Sequence, residues 1–121
     1  MRNLIFVSIG GAIGVSIRYY ISIIIKSHSR IQFPLDTFLI NFIGCFILGI
    51  LITTKVLNTS SIYIKEFLVI GVLGGFTTFS TFSLETFEII KSGNFNLAIF
   101  YIGSSIIFGI LGVSIGSFFL K

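Results

Sequence analysis

Residues 74–82 read GGFTTFSTF, and four of the five residues 77–81 carry hydroxyls: Thr77, Thr78, Ser80 and Thr81. A hydroxyl donates and accepts hydrogen bonds without bringing a charge. Phe79 and Phe82 flank the run three residues apart, so they share a helical face, and the edge of a phenyl ring carries the positive end of its quadrupole. Asn41, inside the apolar stretch TFLINFIGCF, adds the two donors of a side-chain amide. Hydroxyls, an amide and ring edges together can solvate a small anion. No lysine or arginine sits at that depth to hold the anion permanently, which suits conduction, where binding must be weak enough to release.

The same run bears on the backbone. Gly74 and Gly75 each weaken a helix by about 1 kcal/mol relative to alanine, and Ser and Thr side chains offer the chain alternatives to helical hydrogen bonds. A break is expected over residues 74–78. Broken helices at membrane depth serve as ion sites, and carbonyls freed by the break would suit a small cation. The alternative is an unbroken helix whose hydroxyls bond its own preceding turn.

These residues need elements to hold them in place. Of the 121 residues, 55% are hydrophobic and 10% charged, and mean hydropathy is +1.10; a soluble domain carries about 25% charged residues. The chain belongs to the integral membrane class, where a spanning helix takes roughly 20 apolar residues. Charges delimit helices near 3–25, 35–54, 62–90 and 95–120, joined by KSHSRIQFP, KVLNTSSIY and KSGNF. The result is one all-α transmembrane domain over residues 1–121. No room remains for a soluble domain, which argues against an enzyme acting on a water-soluble substrate, and no nucleic-acid partner is expected. Arg2 followed by NLIFVSIGGAIGVSI has the charge and length of a leader. It lacks a small-x-small cleavage site before a polar region, so it reads as the first span. Cys45, the one cysteine, reads as a small packing residue, and His28 has nothing nearby to make a metal site. IGGAIG follows no strand and is not a dinucleotide motif.

With four spans both termini lie on one side. That side carries Arg2, Lys55, Lys65 and Lys121; the other carries Lys26, Arg30 and Lys91, with Arg18 near the end of the first helix. Orientation follows the Lys/Arg bias, and here the two sides nearly balance. Insertion in both orientations would allow two copies to form an antiparallel dimer, the two-chain counterpart of an inverted-repeat transporter. Gly10 and Gly14, Gly71 and Gly75, and Gly112 and Gly116 are each four apart, a spacing that lets helices approach closely and fits such an assembly.

GGAIGVSIRY near the start, DTFLINFIGCFILG in the second helix and GVLGGFTTFSTFSLE in the third resemble the small fluoride channels of bacteria, the CrcB/Fluc family. The resemblance covers essentially the whole chain, and the third motif is the specific one. It implies a dual-topology, antiparallel dimer in the cell's inner membrane, with two fluoride pores that let cytoplasmic fluoride leave passively and relieve its toxicity. Asn41, Phe79 and Phe82 would line each pore, with a polar track of Thr37, Ser80, Thr81, Tyr101 and Ser105. A structural Na+ would sit on the dimer axis, held by backbone carbonyls of Gly74 and Thr77. Arg18 and Glu85 would take vestibule or structural roles. The partner would be an identical chain or a homologous one.

Two other functions compete. A small proton-coupled multidrug exporter would want a carboxylate in the first helix and tryptophan for cationic drugs; this chain has no Trp and no acidic residue before Asp36. A non-transporting membrane scaffold would have no need of a hydroxyl run opposite a buried asparagine.

Overall fold

The computed structural model describes residues 2–54, 57 and 61–118. Helix α1 is Arg2–His28 and α2 is Leu35–Thr53. The third span, Ile62–Lys91, is two helices. Its first part, α3 (residues 62–76), is π-helical over Glu66–Leu73 and regains α geometry at Gly74–Phe76; its second part, α4, is Phe79–Lys91. Helix α5 is Phe95–Phe118. All four spans are long and apolar enough to cross a membrane. Helix α1 runs three residues past its expected end at 25. Lys55 and Lys121, half of one side's charge tally, lie outside the described residues, as does much of KVLNTSSIY.

The ends follow local chemistry. Lys26 and His28 fall in the last turn of α1, where positive charge complements the helix dipole, and Asp36 falls in the first turn of α2, where negative charge does. Gly93 turns the chain between α4 and α5 at φ +83°, a left-handed conformation that glycine adopts without steric cost.

Helix α1 lies along α3, and α2 lies along α5. The glycine pairs make these crossings. A side chain at Gly14 would meet the Val72 carbonyl, and one at Gly75 would come within 2.6 Å of the Gly11 carbonyl oxygen. A side chain at Gly112 would sit 3.2 Å from the Phe42 carbonyl oxygen. The small-residue stripes expected to serve assembly therefore close helix pairs within one chain. Backbones in hydrocarbon approach closely at small residues because dispersion, not water exclusion, holds the helices together.

The interior mixes apolar and hydroxyl-bearing side chains, and the outside is apolar. The largest fully buried side chains are Tyr101, Ile40 and Thr37, and Asp36, Thr78 and Thr86 are also buried, while Ile5, Phe100 and Ile110 face outward. Tyr101 packs with Ile89 and Ala98 in a cluster flanked by Phe33, Phe38 and Phe82. The centre is hydroxyl-rich and the outside apolar, as lipid requires.

Candidate functional site: a hydroxyl track at a broken helix

The third span breaks at Thr77 and Thr78, both extended (ψ 157° and 120°). The Thr77 amide still reaches back to the Leu73 carbonyl at 2.9 Å, and so does the Thr77 hydroxyl. The helical pattern then fails. In an unbroken helix the Thr78 amide would bond the Gly74 carbonyl; it donates instead to Asn41 Oδ1 at 2.8 Å. The Thr81 amide would bond the Thr77 carbonyl; it donates instead to Thr78 Oγ1 at 3.2 Å, where Thr78 caps α4. The carbonyls of Gly74 and Thr77 thus lose the partners that regular helix supplies. Asn41 Nδ2 donates to the Thr78 carbonyl at 3.1 Å, so one side chain satisfies both backbone groups of the break residue.

Hydroxyls climb from this point. Thr78 Oγ1 donates to Thr81 Oγ1 at 3.0 Å and lies 3.4 Å from Ser80 Oγ. One turn beyond Thr81, Glu85 joins two helices to its own: Thr37 donates to Oε1 at 2.9 Å and Tyr101 donates to Oε2 at 2.8 Å. Residues 78, 81 and 85 follow the three-and-four spacing of one helix face, so the order along the chain becomes an order in depth.

Two clefts flank the column. One, of about 380 Å³, is lined by Asn41, Gly74, Thr77, Thr78, Phe79, Phe82 and Ser105, among others. The other, of about 290 Å³, lies between α1, α2 and α4 and is lined by Arg18, Ser22, Asp36, Thr37, Thr78 and Thr81 with apolar neighbours. Thr78 belongs to both. The Phe79 and Phe82 rings lie 5.6 Å apart, and the Phe82 ring also lies tilted against Tyr101 at 5.1 Å. Phe79 is 79% exposed, so the first cleft is open on its side. The Ser105 hydroxyl is buried and has no hydrogen-bond partner among the described residues.

The structure therefore brings Asn41, Phe79, Phe82, Ser105, Gly74 and Thr77 around one cleft. It sets Thr37, Thr81 and Arg18 on the other, and joins Thr37 to Tyr101 through Glu85. Ser80 stands at the exposed edge of the column. Glu85 ties α4 to α2 and α5 through Thr37 and Tyr101. The corner where α1 meets α2 escaped sequence reasoning. There Asp36 Oδ2 accepts from Ser22 and pairs with Lys26 at 3.2 Å. Its one sequence trace is the four-residue spacing of Ser22 and Lys26.

Residues 5–117 match the family described as CrcB-like protein, Camphor Resistance (CrcB). The chain is 39% identical over 117 residues to a protein of Azobacteroides pseudotrichonymphae genomovar. CFP2 named fluoride-specific ion channel FluC, covering 96% of this chain and 94% of that one. It is 40% identical over 120 residues to the protein of the same name in Phocaeicola vulgatus, covering 96% of each. The fluoride-specific ion channel FluC of Helicobacter pylori strain G27 is 40% identical over 126 residues, covering 98% of this chain and 95% of that one. With the match running through all four spans and the broken third helix, the chain belongs to the CrcB family.

Proposed function

We infer that this chain is a fluoride-selective channel of the cell membrane, passing fluoride passively out of the cytoplasm. The observation that carries the reading is the neutral donor column at the break: Thr78 Oγ1 donates to Thr81 Oγ1 at 3.0 Å and lies 3.4 Å from Ser80 Oγ, beside the Asn41 amide. Hydroxyls and an amide offer donors to an anion without a fixed cation. Fluoride is small and strongly hydrated, so its water must be replaced by donors at short range, and binding must stay weak enough for release. The ring edges of Phe79 and Phe82 continue that supply. The names of the relatives support fluoride as the ion.

The working unit is an antiparallel dimer of two such chains with two pores. Phe79 stands on an open side of its cleft, so a second chain is needed to close the path. The near balance of Lys and Arg between the two sides supports insertion in both orientations. A sodium ion on the dimer axis fits the carbonyls of Gly74 and Thr77, whose helical donors bond elsewhere; uncharged oxygens are the ligands hard cations take. Bound there, it would supply a fixed positive charge between the two anion paths. Efflux of fluoride from proteoliposomes, read with a fluoride electrode, tests the channel reading, and chloride retention in the same vesicles tests selectivity.

A further inference from the structure

Asp36 carries a charge in a nearly closed position, at 4% exposure. Its Oδ2 accepts from the Ser22 hydroxyl and pairs with the Lys26 ammonium at 3.2 Å. Ser22 and Lys26 are one turn apart on α1, so both face the same corner. The Lys26 side chain is 60% exposed and that of Asp36 only 5%: the acid is inside and the base is at the rim. Asp36 lines the cleft that holds Thr37 and Thr81. With Lys26 it also lines a pocket of about 150 Å³ beside the loop after α1, and that pocket reaches Glu85.

An anion coming from this end of the bundle to the Thr78 and Thr81 hydroxyls, in the cleft that Asp36 also lines, passes this carboxylate. A buried negative charge there repels it, the more so because the surroundings screen poorly. We propose that Lys26 is a positioning residue for conduction: by cancelling the charge of Asp36 at the mouth, it admits fluoride to the Thr78 and Thr81 hydroxyls that line the same cleft. The proposal rests on the channel reading above. It differs from a purely structural pair, which would tie α1 to α2 whatever ion passed.

The test is fluoride efflux from proteoliposomes over a range of fluoride concentrations, for the unmodified protein, Lys26→Gln, Asp36→Asn and the double variant. Lys26→Gln removes the ion-pair partner of the carboxylate, leaving the Ser22 hydroxyl on it and Arg18 in the same cleft, and efflux at low fluoride falls about tenfold, with half-saturation moving to higher fluoride, as electrostatic focusing requires. The double variant restores efflux, because the repelling charge has gone with its partner; a lost structural tie is not restored by deleting its other half. Asp36→Asn alone matches or exceeds the unmodified protein. Normal efflux in Lys26→Gln, a double variant as slow as Lys26→Gln, or an Asp36→Asn slower than the unmodified protein each overturns the proposal. If Lys26→Gln does not fold, the Asp36→Asn arm decides. Absent fluoride efflux in the unmodified protein overturns the channel reading instead.

Discussion

The Thr78 amide donates to Asn41 Oδ1 at 2.8 Å while Asn41 Nδ2 donates to the Thr78 carbonyl at 3.1 Å, so one amide side chain on α2 holds open the break in the third span. Asn41→Asp keeps the acceptor, loses the donor and sets a carboxylate against a carbonyl and beside an anion path. Leaving a buried polar group unsatisfied costs about 1–3 kcal/mol, more for a charged one. Fluoride efflux falls at least about a hundredfold, corresponding to roughly 3 kcal/mol of barrier, and the melting temperature drops. Efflux within tenfold of the unmodified protein contradicts this role for Asn41.

Phe79 and Phe82 separate by a second readout. Phe79→Ile and Phe82→Ile keep hydrophobic bulk and lose the ring quadrupole, so each slows fluoride flux sharply. Of the two, only Phe82 packs its ring against buried Tyr101, at 5.1 Å, and an aromatic pair contributes about 0.5–1.5 kcal/mol beyond its buried area. Phe82→Ile therefore lowers the melting temperature as well, whereas Phe79→Ile leaves it nearly unchanged, since that ring is 79% exposed. Thermal unfolding in detergent, run beside the flux assay, distinguishes the two. Undiminished flux in both variants contradicts the assignment of these rings to the path.

Tyr101→Phe deletes the donor to Glu85 Oε2, a bond of 2.8 Å inside the bundle. Removing one partner exposes the full desolvation penalty of the other, about 1–3 kcal/mol or more for a charged group. The variant is less stable by that order and passes fluoride more slowly. Unchanged stability and flux together would show that the Glu85 junction carries neither function.

The spans and the break were legible because each rests on short-range chemistry. Uncharged stretches mark the spans, and Gly-Gly followed by hydroxyls marks the one place where a helix is weakest. Which residues meet across helices was not legible in the same way. Glu85 reaches Thr37 and Tyr101 only because α2, α4 and α5 take particular rotations about their axes, and spacing within one helix does not set rotation against another. The glycine pairs show the same limit. Their spacing announces a close approach but not to what, and Gly14 and Gly75 proved to pack within the chain. The π-helical stretch Glu66–Leu73 left no trace in the residue pattern.

Orientation gives a prediction independent of the pore. With Lys and Arg nearly balanced between the two sides, a C-terminal tag is found on both faces of the membrane in comparable amounts. Two lysines added to the KSGNF loop shift the population to one orientation. A tag confined to one face, in cells lacking a homologous partner, contradicts the antiparallel homodimer.

The most direct test of the channel is ion efflux from liposomes containing only this protein, with fluoride and chloride electrodes reading the same preparation. A neutral track of hydroxyls, one amide and two ring edges predicts rapid fluoride release with chloride retained in the vesicles. Retention of both ions, or chloride efflux comparable to that of fluoride, would contradict it.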